Sequence, residues 1–179
     1  MHNLTTTEIS TMRRIKKFLV LTALVAFSAP ILHAPIAYAH CQIPCGIYGD
    51  ETRFVMLNEH ITTIEKSMNQ INELSKDPTA NANQLVRWVM NKEEHADAMA
   101  EIITQYFLQQ RIKPEEAESD HVSWMKKMTA CHSILVSSMK AKQTTDLKNV
   151  EDLRKQVAAF AEAYLSKEDL AHLKEHHAE

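Results

Sequence analysis

Apolar residues recur at helical spacing along most of the chain after residue 50, and this part of the sequence contains no glycine. Between residues 51 and 75 the apolar positions are three or four residues apart, which places them on one face of a helix. These positions are Leu57, Ile61, Ile64, Met68 and Ile71. Asp77 and Pro78 end this predicted first helix, because the residue before a proline disfavours the α region.

Two further segments show the same period, one over residues 83–111 and one over 119–141. The predicted apolar face of the second helix carries Leu85, Val89, Ala96, Met99, Ile103, Tyr106 and Gln110. That of the third carries Val122, Met125, Met128, His132, Leu135 and Met139. Lys113 and Pro114 mark the break between them, and we interpret the methionines on these faces as packing residues.

A fourth helix is predicted from about Asp146, a suitable N-cap. Its apolar face carries Leu147, Val150, Leu153, Val157, Phe160 and Tyr164. Ser166 to Asp169 resembles a capping box and predicts a short terminal helix. Four amphipathic helices joined by short loops predict an all-α fold, a four-helix bundle that forms one domain.

Residues 1–39 have a different character and match a secretory signal. Basic residues at 13–17 precede an apolar run at 18–27, and Ala37-Tyr38-Ala39 is a small-residue cleavage site. The apolar run is shorter than the about 20 residues that a membrane-spanning helix needs, although a retained anchor is the alternative. We therefore predict that residues 1–39 are removed by a peptidase and that residues 40–179 are exported to the periplasm or the medium.

Charge and cysteine content narrow the function further. The formal net charge of the chain is −3 and no basic cluster is present after residue 39, which argues against nucleic acid and against stable membrane association of the predicted mature chain. Of the three cysteines, Cys131 lies inside a helical pattern and is predicted to be a buried small hydrophobe. Cys41 and Cys45 stand together near the predicted cleavage site.

Cleavage after Ala39 would place several metal donors close together. They are the new α-amine and the imidazole of His40, the thiolates of Cys41 and Cys45, and the amide nitrogen between the first two residues. Two nitrogens with two thiolates suit tetrahedral zinc or planar nickel and copper. Pro44 and Gly46 would help the chain turn back on itself. A Cys41–Cys45 disulfide is the alternative in an oxidising compartment.

The nine residues His40-Cys41-Gln42-Ile43-Pro44-Cys45-Gly46-Ile47-Tyr48 resemble the metal hook of the nickel-containing superoxide dismutases, whose pattern is His-Cys-x-x-Pro-Cys-Gly-x-Tyr. We call residues 40–48 the hook. The resemblance implies one nickel ion per chain, held by His40, Cys41 and Cys45, and disproportionation of superoxide to dioxygen and hydrogen peroxide by a Ni(II)/Ni(III) cycle. It also implies a homo-oligomeric helical bundle, a hexamer in the family.

The resemblance assigns further roles around the metal. Tyr48 matches a tyrosine beside the open face of the metal, where it would order water or substrate and limit access, or pack the hook onto the bundle. Gln42 replaces the acidic residue usual in the family, so no carboxylate is expected there. Tyr106 belongs to an aromatic pair that would approach the site. Charged residues contact the hook histidine in the family, and the candidates here are Arg87, Glu59 and Glu94, for which a solvated surface position is the simpler interpretation.

Two other functions compete with the dismutase. The first is an exported chaperone or sensor that binds copper or zinc through the same donors without turnover, and the second is a structural bundle with a Cys41–Cys45 disulfide. Glu118 and His121 form a single Glu-x-x-His, whereas di-iron bundles need a second copy. His172 and His176 are interpreted as part of a solvated, frayed C-terminus.

Overall fold

The computed structural model describes residues 49–176, with side chains from 49 to 173. The predicted signal and the hook therefore lie outside the described residues. The helices are α1 (Glu51–Leu74), α2 (Pro78–Glu101), a π-helix (Ile102–Arg111), α3 (Glu116–Ser119), α4 (His121–Gln143), α5 (Lys148–Tyr164) and α6 (Lys167–His176). Residues 49–176 contain no strand, so the all-α prediction is confirmed. No helix in this range is both long and apolar enough to cross a membrane.

Each of the four long helices packs against two of the others. α1 contacts α2 and α5, and α4 also contacts α2 and α5, which closes the bundle. The short helices lie outside it, α3 on α4 and α6 on α1. The interior is built from large side chains that are almost completely buried, among them Phe54, Leu57, Ile61, Ile64, Met68, Met99, Ile103, Phe107, Ile134, Leu153 and Phe160. The predicted apolar faces of the first and fourth helices supply much of this interior.

Side-chain caps mark the starts of α2 and α6. Asp77 accepts a hydrogen bond from the Ala80 amide at 3.2 Å, and Pro78 occupies the first turn of α2. The predicted start of the second helix near residue 83 is therefore wrong by one turn, because the Asp-Pro pair that ends α1 also begins α2. Ser166 accepts from the Asp169 amide at 3.1 Å, which confirms the cap of the terminal helix.

The second long helix does not stay an α-helix to its end. After Glu101 it continues as a π-helix of ten residues, whereas the sequence predicts uninterrupted α-helix to residue 111. The amide of Ile112 donates to the carbonyl of Phe107 at 2.9 Å, the five-residue spacing that defines this form. The wider turn changes which side chains share a face.

The predicted apolar face of α4 is only partly correct, because Met128 and Leu135 pack against the core but the other members do not. Val122, Met125 and Met139 are 66%, 43% and 54% exposed, and His132 is exposed as well. The face that enters the bundle is instead the one with Cys131, Ile134, Ser137, Ser138 and Ala141. Methionine packing is confirmed for Met68, Met99 and, as a partly buried residue, Met128, but not for Met125 and Met139.

The structure confirms one prediction about a single residue and corrects another. Cys131 is fully buried and burial raises the pKa of its thiol to about 12, which confirms it as a core residue. The C-terminal segment is not frayed at His172, because α6 continues to His176 and buries Leu173. The Nδ1 atom of His172 lies 2.9 Å from a carboxylate oxygen of Glu51, which ties α6 to the start of α1.

Candidate functional site

The four predicted site residues, His40, Cys41, Cys45 and Tyr48, lie outside the described residues. The described chain begins at Gly49, directly after the hook. Its φ of +79° is a conformation that residues with a side chain rarely adopt, so glycine suits this position although a Cβ would meet no other atom within 4 Å. The part of the site that the structure describes is thus the attachment of the hook to the bundle.

Asp50 is the centre of this attachment. The hydroxyl of Tyr106 donates to Oδ1, and the hydroxyl of Tyr164 donates to Oδ2 at 2.5 Å. Arg111 donates to Oδ2 through Nη2 at 2.7 Å and through Nε at 3.2 Å. The carboxylate side chain is only 15% exposed. The residue that precedes α1 is therefore fixed by the π-helix and by the last turn of α5, and we call these four residues the Asp50 cluster.

The π-helix is the reason that two of these donors meet at one carboxylate. Tyr106 and Arg111 are five residues apart, and in an α-helix such residues would point about 140° away from each other. In a π-helix the hydrogen-bond spacing is five residues, so side chains at this distance lie on nearly the same side. The rare helix form is thus what aims both side chains at Asp50.

The charges in the cluster are well defined. Burial raises the pKa of Asp50, but the hydrogen bonds from Arg111 and the two tyrosines outweigh it, and the pKa lies below its ordinary 3.8. Burial, followed by the hydrogen bond to Asp50, raises the pKa of Tyr106 and of Tyr164. At neutral pH the cluster therefore holds one carboxylate, one guanidinium and two neutral hydroxyls that act as donors.

A ring of aromatic side chains supports the cluster from below. Phe54, Phe107, Phe160 and Tyr164 have ring centroids 4.7 to 6.0 Å apart. Such pairs stabilise beyond the area they bury. Because each ring packs against several others, Tyr164, which donates to Asp50, has little freedom to move away.

Cations surround the same place. The guanidinium of Arg53 lies 4.7 Å from the centre of the Tyr106 ring, and that of Arg111 lies 5.7 Å from it. Lys127 lies 5.8 Å from the centre of the Tyr164 ring and pairs with Glu116 at 2.8 Å. Of these three cations, Arg111 is paired with Asp50 and Lys127 with Glu116.

Of the other residues predicted to lie near the metal, one is in the Asp50 cluster and three are on the surface. Tyr106 lies in the cluster and contacts Asp50, which is two residues beyond the end of the hook. Arg87 and Glu94 instead border a shallow groove on the exposed side of α2, and Glu59 is exposed on α1. For these three charged residues the surface interpretation agrees with their positions.

Sequence reasoning missed Asp50, Arg111 and Tyr164. Asp50 could have been noticed as an acid placed between the hook and the first helix. Arg111 and Tyr164 are 61 and 114 residues away from it, so only the packed bundle shows their contact. Between residues 49 and 173, no group of three or more His, Cys, Asp or Glu side chains is arranged to hold a metal ion.

Comparison with known proteins identifies the family. The family model described as nickel-containing superoxide dismutase matches residues 35–168, which include the hook and the four long helices. No curated protein and no solved structure matches the chain. The match favours the enzyme over the non-enzymatic metal-binding protein and over the structural bundle.

Proposed function

This chain belongs to the nickel-containing superoxide dismutases, and we propose that it binds its nickel through the hook, residues 40–48. The family is an oxidoreductase family whose cofactor is nickel and whose substrate is superoxide. In the overall reaction, two superoxide ions and two protons give dioxygen and hydrogen peroxide. The hook would supply the residues of this chain that carry the reaction.

The donor set of the hook fits nickel. The α-amine of His40, the adjacent amide nitrogen and the thiolates of Cys41 and Cys45 provide two nitrogens and two sulfurs, which suit a planar ion. The imidazole of His40 is available as an additional nitrogen ligand. Bound nickel, one ion per chain, would supply one-electron chemistry by alternating between Ni(II) and Ni(III). We assign the metal to His40, Cys41 and Cys45.

Tyr48 would act beside the metal rather than on it. Its phenol can order a water molecule or a superoxide ion by hydrogen bonding and can restrict access of larger molecules. Only Gly49 separates Tyr48 from Asp50, so the Asp50 cluster fixes the chain close to this phenol. Two observations carry the proposal. The Asp50 cluster fixes the chain directly after the hook, and the hook lies within residues 35–168, which the family model matches.

The cations near the attachment suit an anionic substrate. Arg53 lies on the ring of Tyr106, and Arg111 and Lys127 lie around the same cluster. A local positive field raises the encounter rate of small anions and weakens with added salt. Because Arg111 is paired with Asp50 and Lys127 with Glu116, we infer that Arg53 contributes most to attracting superoxide to the hook although the whole chain is acidic.

Assembly and location complete the proposal. We propose a homo-oligomer, a hexamer as in the family, because Val122, Met125 and Met139 expose an apolar face on α4 that a second copy could cover. We also propose that a peptidase cuts after Ala39 and that the enzyme works in the periplasm or the medium, with neither nucleic acid nor a membrane as a stable partner.

The position of the free amine provides the test. Two proteins are prepared, one with a single alanine added before His40 and one with the same alanine added after Glu179. The first addition moves the amine out of reach, so nickel content and superoxide turnover should both fall, turnover by more than about 100-fold, since even the outer partners of metal ligands matter 10–100-fold. The second addition should change neither.

Intact mass, metal analysis and a superoxide assay are measured on both proteins, and circular dichroism verifies that the helices are retained. A protein with the extra alanine before His40 that keeps one nickel per chain and full turnover would refute the assignment of the amine.

A further inference from the structure

Two histidines face each other across α1 and α2, away from the Asp50 cluster. The Nδ1 atom of His60 lies 2.8 Å from the Nδ1 atom of His95, and the ring centroids are 5.0 Å apart with 62° between the ring planes. Both side chains are half-buried. Neither histidine belongs to the hook or to the Asp50 cluster, so the pair needs an explanation of its own.

The chemistry of the contact restricts the pair to few states. A hydrogen bond between two Nδ1 atoms requires that one ring carries a proton there and the other offers its lone pair. Burial lowers the pKa of His60, and the nearby charge of His95 lowers it further. Two ring nitrogens therefore point at one place with one proton between them. Neutral imidazoles arranged in this way are also metal ligands.

The 2.8 Å between the two nitrogens is the length of a hydrogen bond. With metal–nitrogen bonds of about 2.0 to 2.1 Å, two ligands of one ion are about 2.8 to 3.4 Å apart, so the two helices already hold these nitrogens within reach of a shared ion. A metal ion would replace the shared proton after both rings rotate so that their lone pairs point at the ion instead of at each other.

We propose that His60 and His95 form a second metal site, which takes a divalent ion that binds imidazole nitrogens well, Cu(II) before Ni(II) or Zn(II). The order follows the general affinity series of these ions for nitrogen ligands. Residues 49–173 provide no third ligand of the His, Cys, Asp or Glu type here, so water would complete the coordination. The carboxylate of Glu59 acts favourably on a positive charge at His60.

A metal ion at this place would join α1 to α2. Since an ion that binds only the folded chain stabilises it by mass action, Cu(II) should raise the melting temperature. The site differs from the hook in its donors, which are two imidazoles without thiolates, and in its position on two well-packed helices. Its occupancy would not depend on cleavage after Ala39.

The test uses the nickel-loaded enzyme, so that the hook is already filled. Cu(II) is titrated calorimetrically into the wild type, His60→Gln, His95→Gln and, as a matched control, His132→Gln, whose histidine is exposed on α4. The wild type and the control should bind one more equivalent of Cu(II) than the two pair variants, and only they should show the rise in melting temperature. Equal binding by all four proteins would overturn the proposal.

A second measurement does not depend on how the variants fold. In the ¹⁵N-labelled wild type, the first equivalent of paramagnetic Cu(II) should broaden the imidazole signals of His60 and His95 before those of the other histidines. If other histidines lose their signals first while these two persist, the copper binds elsewhere and the proposed site is refuted.

Discussion

α1 and α4 carry equally regular apolar stripes in the sequence, but the stripe of α1 is buried along its whole length, whereas that of α4 packs against the core only at Met128 and Leu135. Leu57, Ile61, Ile64 and Met68 of α1 are completely inaccessible, whereas Val122, Met125 and Met139 of α4 are largely exposed. α4 buries instead a face that is small and partly polar, with Cys131, Ser137, Ser138 and Ala141. An apolar stripe thus identifies a helix face that is to be buried, but it does not identify whether the same chain or a second copy buries it.

The two helices also begin differently. Asp120 caps α4 locally, by accepting from the Ser123 amide at 3.0 Å. Asp50, at the start of α1, has no side-chain bond to its own helix and is held by the π-helix and α5. α1 is therefore fixed in the tertiary structure along its stripe and at its start, which suits the helix that comes after the hook. Three pairs of substitutions separate these contributions.

The largest effect should come from the buried face of α1. Phe54→Ala removes a completely buried ring that packs against Phe107 and Phe160, and such truncations cost about 3 to 5 kcal/mol of the free energy of unfolding. Met125→Ala on α4 should cost less than about 0.5 kcal/mol in the dissociated chain. Chemical denaturation at low protein concentration measures both, and similar losses would contradict the contrast between the faces.

An intermediate effect is expected at the helix starts. Asp50→Asn removes the negative charge to which Arg111 and two hydroxyls donate hydrogen bonds. We expect the free energy of unfolding to fall by about 1 to 3 kcal/mol. Asp120→Asn is the matched control and should change little, because asparagine caps helices about as well as aspartate. Chemical denaturation compares the two variants, and if both changes cost the same, Asp50 would be an ordinary cap.

The comparison of the wild type with Asp50→Asn also predicts how stability depends on pH, with a defined sign. Since the pKa of Asp50 is lower in the folded chain than its ordinary 3.8, its contribution is complete above about pH 4 and is lost as the pH falls through the folded value. The difference in stability between the wild type and Asp50→Asn should therefore shrink in acid. A difference that stays constant down to the acid transition would exclude this electrostatic origin.

The smallest effect on the folding of one chain should come from the exposed face of α4. Val122→Glu places a charge where the valine is 66% exposed, so the free energy of unfolding of the dissociated chain should change by less than about 0.5 kcal/mol. If a second copy covers this face, the same change should dissociate the oligomer, which sedimentation detects. Met90→Glu, on the exposed side of α2 at 64%, compares another apolar surface position.

The sequence predicts the all-α bundle and the packed faces of α1 and α5 because the apolar residues of these two helices follow the helical period and are buried within the same chain. It cannot predict the buried face of α4, since small residues such as Ala141 and Ser138 are no less buried than large ones when helices approach closely. The π-helix escapes prediction for a related reason, because its benefit is a contact between Arg111 and a carboxylate 61 residues away.

The candidate site divides in the same way. The hook can be found in the sequence because its donors are neighbours along the chain. The Asp50 cluster cannot, because its members come from three separate elements and none has an unusual local pattern. Tyr106 is the exception, since the family resemblance places it near the site.

Fixing Asp50 also limits the distance between the proposed donor Cys45 and the bundle. Cys45 is five residues before Asp50, so even a fully extended chain keeps it within about 18 Å. Groups of the bundle within that distance would therefore meet Cys45 at the high effective concentration of a short tether, in the millimolar range for linkers of this kind. At such a concentration, weak contacts would be sufficient to keep the proposed metal segment near the Asp50 cluster.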